Sequence, residues 1–423
     1  MIASGTQPAD GNRATLDDLF RRAGVRRADA PALADLSRSL TYAQADRAIS
    51  ALAARLRSFG LATDAVVAVQ LPNSVENVIV LLGILRAGMI AAPLPLLWRQ
   101  QEMVAALSRA GAKGIVTSSA QAGVAMQAAV EVFPIRAIAG FGRDLPDGVV
   151  PLDDVFGPGA EFFQSFARPG NSAAHVAAIT FDVTGDGIVP IARSHSGLIA
   201  GGREVFLEGG IGQDETILST IPPSSFAGIA LAVVPWLLGG GTLALHHGFD
   251  PVAFAKQCRA YDAATIALPG PALAALADAG LLGNAVKNIL ALWRAPEQLA
   301  AAAPWRGSAG LVDIASFGEI GLRPARREPD GMPTPILSRA VTTPRGAALT
   351  AVGFYRFRQH DVEVAVAAVD PAAVIATLPD VYLGQRLAGS AQDGAALATK
   401  LQARGVNALI AGAFRPRGNA NAA

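Results

Sequence analysis

Chemistry in a protein needs nucleophiles, acids and bases, or metal ligands at workable spacings, and this chain of 423 residues offers few. Its only cysteine, Cys258, sits in Ala255-Lys256-Gln257-Cys258-Arg259-Ala260, a helical pattern, and reads as a structural thiol rather than a nucleophile. One cysteine excludes an intramolecular disulfide and a thiolate metal cluster within the chain. His246 and His247 are adjacent; that is neither helix nor strand spacing for two ligands of one ion, so no metal site is expected. His175 and His360 are expected at the surface. His195 follows Ser194 where a helix opens, and either caps that helix or serves a site. Glu319 is a general-base candidate if buried, but a lone carboxylate there is expected to be exposed. No Ser-His-Asp arrangement has support, because Gly-x-Ser-x-Gly is absent. Arg323, Arg326 and Arg327 near Glu328 read as a solvated charged loop, with an anion clamp as the alternative.

Such groups act only where a scaffold holds them. Leu16 to Ala23 has helical periodicity. Ala32 to Asp35 and Leu40 to Tyr42 read as short strands around a turn at Ser37-Arg38, and Thr41 as the N-cap of a helix from Tyr42 to Phe59. Val66 to Leu71 is a continuous apolar run, the pattern of a buried strand. Pro72-Asn73-Ser74 ends it. A helix over Val75 to Ala87 stops at Gly88, and Ile90 to Pro93 (strand), Val104 to Ala110 (helix) and Gly114 to Thr117 (strand) follow. The pattern resumes with a strand at Val176 to Phe181, a glycine-rich loop, and a helix from Ser196. Thr216 to Ser219, Gly241 to Leu245 and Thr265 to Leu268 are further strands. This alternation predicts an α/β fold with a doubly wound, largely parallel sheet. Pro324 to Pro344 reads as a linker. His360 to Val369, Ala372 to Leu378 and Ala395 to Arg404 read as a small helix-rich tail, which divides the chain into residues 1–340 and 350–423.

Hydrophobic residues make up 51% of the chain and charged ones 16%, against about 25% charged in ordinary soluble chains. Such a chain buries ample apolar surface, so disorder is excluded as its main state. A net charge of +1 supplies no basic excess to draw nucleic acid. Val78 to Trp98 is apolar but carries Arg86 and two prolines, and Ile229 to Leu245 is broken by Pro235 and Gly239 to Gly241. Neither reads as a membrane span, which needs about 20 apolar residues. Met1 to Arg13 is polar and reads as no secretion signal, so a cytoplasmic location is expected. The apolar composition makes a homodimer or a protein partner an expectation.

Five segments, in order, carry a resemblance. They are Leu40-Thr41-Tyr42; Val67-Ala68-Val69-Gln70-Leu71-Pro72-Asn73-Ser74; Gly83 to Gly88 with Pro93-Leu94; Pro235 to Thr242 with Phe249-Asp250-Pro251; and Gly353-Phe354 through Asp361-Val362-Glu363. No single block is specific, but their order is. Together they resemble the acyl-CoA synthetases and adenylation domains, the AMP-binding, adenylate-forming enzymes. The resemblance implies a large N-terminal domain of packed, mainly parallel sheets with flanking helices, and here a shortened C-terminal domain. It also implies ATP and Mg²⁺ as cofactors, CoA as acceptor, and a small carboxylic acid or acyl group as substrate.

The family's signature loop reads roughly Thr-Ser-Gly-Thr-Thr-Gly-x-Pro-Lys-Gly and runs on into Ser-His or Thr-His. Glycines let backbone N–H groups approach phosphates, hydroxyls donate, and lysine adds charge. The matching stretch is Phe181-Asp182-Val183-Thr184-Gly185-Asp186-Gly187-Ile188-Val189-Pro190, ending in Ser194-His195. The resemblance assigns Thr184, Gly185, Asp186, Gly187, Ser194 and His195 to a nucleotide loop. Yet Val189 stands at the lysine position, and Asp182 and Asp186 bring negative charge. A second motif, Pro-x-Phe-His-x-x-Gly, matches Pro222 to Gly228, with Ser225 in place of histidine and Phe226 one position along. A third, Tyr-Gly-x-Thr-Glu, matches Phe317-Gly318-Glu319-Ile320-Gly321, where the glutamate falls two positions early. By the resemblance, Ser225, Phe226, Gly228, Phe317 and Gly318 line an acyl pocket, and Glu319 is the catalytic candidate if it turns toward the cleft. No Thr-Gly-Asp occurs between Gly321 and Gly353, and no lysine near Arg415-Pro416-Arg417.

Two functions are therefore expected as alternatives. One is a non-catalytic relative that keeps an acyl pocket and binds an acyl group or a partner. The other is an active acid–CoA ligase. A cleft filled by Val189 and Ile320 would favour the first.

Overall fold

The computed structural model describes residues 14–157, 172–184, 187–283, 285–294, 299, 302–328 and 331, with short strands at 340–342, 348–350, 374–380, 384–391 and 414–416. Helix α1 (Leu16–Arg26) precedes the short pair β1 (Pro31–Ala34) and β2 (Ser39–Thr41). Then α2 (Tyr42–Ser58), β3 (Val66–Gln70), α3 (Val75–Arg86), β4 (Ile90–Pro93), α4 (Gln100–Ala110), β5 (Gly114–Ser118), α5 (Ser119–Glu131), β6 (Ala137–Phe141) and β7 (Val150–Pro151) alternate. Thr41 starts α2 as its sequence context predicts. Its hydroxyl accepts from the Gln44 N–H at 3.2 Å, and the Gln44 side chain accepts from the Thr41 N–H at 2.8 Å. Two of the helix's orphan donors are thereby satisfied.

The second half holds β8 (Val176–Thr184), β9 (Gly187–Ser194), α6 (His195–Glu208), β10 (Thr216–Ser219), α7 (Phe226–Gly228), α8 (Val234–Gly239), β11 (Thr242–Leu245), α9 (Pro251–Ala260), β12 (Thr265–Pro269), α10 (Leu273–Asp278), β13 (Asn288–Trp293), β14 (Gly310–Phe317) and β15 (Gly321–Arg327). Two sheets result, ordered β7-β6-β5-β3-β4-β8-β9 and β15-β14-β13-β12-β10-β11-β1-β2. Both are parallel inside and antiparallel at an edge: β8 with β9, β14 with β15, β1 with β2.

Strand alternation distributes the core. Successive side chains of a strand point to opposite faces. Val67 and Val69 of β3 and Ile217 of β10 join one large apolar cluster with Leu52 of α2, Ile79 of α3, Leu198 of α6 and Trp236 of α8. Val66 and Ala68 face α4 and α5 instead. Leu218 of β10 faces the opposite way too, toward Phe254 of α9 and Leu273 of α10. The layers therefore run helix, sheet, helix, sheet, helix. The shared central layer explains α3, in which every residue but Glu76 is buried. A helix that is apolar all round belongs inside a core. Among the described residues, no helix is long and apolar enough to cross a membrane.

The α/β expectation stands, with four corrections. Helix α5 and strands β6 and β7 occupy residues left unassigned in the sequence reading. The expected glycine-rich loop after Phe181 is largely a hairpin, with β8 and β9 paired down to Thr184 and Gly187. Pro324 and the following arginines belong to β15, not to a linker; proline is tolerated there because β15 is an edge strand. The tail contains strand Val374–Asp380 where a helix over Ala372 to Leu378 was expected, and the β-branched Val374, Ile375 and Thr377 favour that state. His360 to Val369 and Ala395 to Arg404 lie outside the described residues. The expected division between 340 and 350 falls where a short strand pair, Ala340–Thr342 with Ala348–Thr350, is described.

Candidate functional site

In parallel sheets the strand carboxyl ends leave a crevice for ligands. Here both sheets contribute to one cavity of about 340 Å³. Leu71, Pro72 and Asn73 follow β3, and Pro95 to Trp98 follow β4. Phe181 and Asp182 come from β8, and Ile221, Pro222, Ser224 and Ser225 follow β10. His247 and Gly248 follow β11, Arg294 follows β13, and Gly318 and Glu319 follow β14. The wall is mostly apolar with a few converging polar groups, the usual character of a small-molecule pocket.

Asn73 ties the two sheets together at this point. Its Nδ2 donates to the Ser219 carbonyl at 2.9 Å and to the His246 carbonyl at 3.1 Å. The ends of β10 and β11 are thus pinned to the end of β3. The Asn73 N–H donates to His247 Nδ1 at 3.4 Å, which leaves a neutral ring its proton on Nε2. His246 points elsewhere: it is fully buried, with Nδ1 2.9 Å from Gln257 Oε1 and its ring against Phe249 and Phe254. Among the described residues no group of three His, Cys, Asp or Glu side chains is placed to hold a metal ion.

Glu319 is buried, at 7% exposure, against the expectation of an exposed carboxylate. The tight β14–β15 turn folds it inward, where its Oε2 accepts from the Phe226 N–H at 2.6 Å. Burial pushes its carboxyl up to about 7, and the Phe226 N–H and the Arg294 charge hold it back from rising further. Arg193 of β9 donates to the Glu319 carbonyl and lies 3.6 Å over the Phe226 ring. Asp182 also sits above the ordinary carboxylate range because it is partly buried, although the Val183 and Glu319 N–H groups bond to it. Its two carboxylate oxygens lie 2.7 Å from where a Cβ on Gly318 would fall, and Gly318 has φ +57°. Glycine at 318 is therefore required twice, for the left-handed backbone and for the carboxylate above it.

The other candidates fall in several places. Ser225 lines the cavity, and its hydroxyl accepts from the Gly228 N–H at 3.1 Å. Phe226 is buried under Arg193, and Gly228 packs on the Pro222 carbonyl; neither is part of the cavity wall. Phe317 packs against the apolar cluster behind β14. Val189 and Ile320 are not part of the cavity wall, so the filled cleft that would have favoured a non-catalytic relative is not found. Of the expected nucleotide loop, Thr184 and Gly187 close the β8–β9 ladder, while Gly185 and Asp186 lie outside the described residues. Ser194 caps α6 by accepting from the Gly197 N–H at 3.1 Å. His195 is buried away from the cavity; its Nδ1 accepts from the Leu16 N–H at 3.3 Å, tying α1 to α6. Burial, then the neighbouring His175, lowers His195 to about 4. His175 itself is half-buried, 2.5 Å from Asp64, rather than at the surface.

The arginine group lies on strand β15 rather than a loop; Arg323 and Arg326 are exposed as expected, and only Arg327 departs from that reading. Arg327 is buried and grips Asp313 with two bonds of 2.7 Å, while Arg326 donates to the Glu208 carbonyl at 2.7 Å. Asp182, Arg294, His247 and Asn73 are cavity residues that were not among the expected site residues. Two carried a signal: Asp182, as a charge in a stretch otherwise read as a phosphate loop, and Asn73, as part of the Pro-Asn strand ending. Cys258 is buried, and burial pushes its thiol up to about 11. Iodoacetamide at pH 8 is expected to leave the folded chain unmodified and to label it only after unfolding in urea; rapid labelling of the native chain would contradict this placement.

The fold closely follows solved relatives. MbtA of Mycobacterium smegmatis superposes with a TM-score of 0.68 at 19% identity, over 97% of this chain and 92% of that one. A long-chain-fatty-acid–CoA ligase of Archaeoglobus fulgidus superposes with a TM-score of 0.63 at 18% identity, over 79% and 72%. In sequence, a long-chain-fatty-acid–CoA ligase of Yersinia pestis is 35% identical over 106 residues, 25% of this chain but 19% of the ligase's own length. Residues 20–148 match the family described as AMP-binding enzyme. Residues 20–148 are thus similar to the AMP-binding enzymes, and the fold as a whole is that of adenylate-forming enzymes. Within the matched segment, the Pro-Asn strand ending has a visible structural reason in Asn73, which joins the two sheets at the cavity.

Proposed function

We propose that this chain holds a small carboxylic acid or acyl group in the cavity between its sheets and does not activate it with ATP in the usual mode of the AMP-binding family. One observation carries the reading: two carboxylates, Asp182 and Glu319, line the cavity, each on a motif that in the family handles phosphate. Where these carboxyls are ionised, above about pH 7 for Glu319, a phosphate a few ångströms away meets, at an effective dielectric near 20, a repulsion of about 4 kcal/mol. Val189 at the lysine position offers no compensating charge. The residues present therefore suit an acyl group better than a triphosphate with Mg²⁺. The same reading takes the chain as a cytoplasmic acyl binder working beside enzymes that form or use the acyl group, with CoA met on those partners.

Calorimetric titration of the intact chain tests this. ATP–Mg²⁺ is expected to give no heat at millimolar concentration, while a panel of short to medium carboxylic acids gives at least one saturable isotherm. Micromolar ATP binding with acid-dependent pyrophosphate release would instead establish the active acid–CoA ligase.

A further inference from the structure

Among the described residues most interior arginines are matched to partners, while the Nε atoms of Arg193 and Arg294 are shielded without a hydrogen-bond partner. Arg86 grips Asp17 at 2.7 Å and the Ser50 hydroxyl at 2.7 Å. Arg327 grips Asp313. Arg193 has the Glu319 carbonyl and the Phe226 ring. Arg294, at the carboxyl end of β13, lines the cavity, and its Nε is shielded from solvent without a hydrogen-bond partner. A shielded, charged donor left unsatisfied costs more than an exposed one, so such a group is a receptor for an anion.

We infer that Arg294 is the anchor for the ligand's carboxylate, and that the ligand is a compact monocarboxylic acid of medium length. The inference rests on the acyl-binding reading above and specifies its substrate class. Charge favours a monoanion. Asp182 and Glu319 share the cavity wall with Arg294, so a phosphate dianion meets twice the repulsion of a carboxylate. Asp182 is turned onto the Val183 N–H and toward Gly318, and Glu319 accepts from the Phe226 N–H. Arg294, whose charge also bears on Glu319, has no hydrogen bond at Nε among the described residues and can form a charge-assisted pair with an incoming carboxylate. Size favours a short chain. At about 30 Å³ per water-sized atom, the 340 Å³ cavity holds about eleven heavy atoms. Octanoate, with about ten, matches the cavity, whereas palmitate, with about eighteen, would have to run out through its open side. The tail would lie against Leu71, Trp98, Phe181 and Ile221, the apolar part of the wall.

The test is calorimetry of the intact chain and its Arg294→Gln and Arg294→Lys variants, each first checked by thermal unfolding. The probes are octanoate, palmitate, 1-octanol and inorganic phosphate. Octanoate is expected to bind the wild type more tightly than 1-octanol, palmitate or phosphate. Arg294→Gln is expected to weaken octanoate at least about tenfold while leaving 1-octanol within about twofold, and Arg294→Lys to restore much of the loss. Unchanged octanoate affinity in Arg294→Gln overturns the anchor, as does phosphate binding as tightly as octanoate. Palmitate binding more tightly than octanoate overturns the size assignment. If 1-octanol binds and octanoate gains nothing over it, the anchor fails while the acyl-binding reading survives. If none of these probes binds and ATP–Mg²⁺ does, both fail together.

Discussion

Replacing Glu319 with glutamine is expected to stabilise the chain at pH 8 by about 3 kcal/mol relative to the wild type and to flatten its stability between about pH 4.5 and 7. The folded Glu319 holds its proton up to about 7, against 4.5 for the ordinary group. Between those values the folded chain binds more protons than the unfolded one. Stability therefore falls as pH rises through that window: the neutral carboxyl's advantage is complete below 4.5 and gone above about 7. The groups facing Glu319 are Asp182 on β8, Arg193 on β9 and Arg294 after β13. Asp182 is shifted in the same direction and leaves a smaller residual slope in the variant. Glutamine keeps an oxygen for the Phe226 N–H without the buried charge. Urea unfolding of both proteins at pH 5, 6, 7 and 8 decides the matter, and parallel stability curves would remove Glu319 from the buried position described.

Asp313→Ala is expected to cost about 3–5 kcal/mol, because it strands the Arg327 guanidinium in the core. The side chains of this pair are both 2% exposed. Asp313 also accepts from the Trp293 indole N–H at 2.7 Å, so the same change orphans a second buried donor. The double variant Asp313→Leu with Arg327→Met is expected to recover most of the loss, since a well-packed apolar pair often equals or exceeds a buried ion pair. Equilibrium unfolding in urea measures both. A single-variant loss under about 1 kcal/mol, or a double variant no better than the single, would count against a desolvated pair.

These two sites show where reading a linear sequence stopped. Arg327 lies among four charged residues and two prolines, so local composition pointed to a solvated loop. Its partner is 14 residues away, brought opposite by the antiparallel register of β14 and β15. Glu319 was misjudged as exposed for a similar reason. Its hydrogen-bond donor, the Phe226 N–H, is 93 positions distant, and no spacing rule connects them. His195 reverses the case: its place in a Ser-His pair suggested a site, while the fold puts it under α1.

Much else was decided locally. The apolar run Val66 to Leu71 made a buried strand, every residue of β3 being buried. Thr41 and Gln44 set the start of α2 by themselves. Gly88, at φ +76°, ended the segment after α3 where a left-handed residue was needed. Periodicity and caps act over a few residues, which is why the sequence alone determined the α/β class, most strand positions and the order of family blocks. Only the tertiary structure decided which groups face the cavity. Asp182, Arg294, His247 and Asn73 come from four segments that meet because parallel strands of two sheets end at the same crevice. Burial there raises the Asp182 carboxyl and lowers the His247 ring, a property of the assembled layers that no residue carries in isolation.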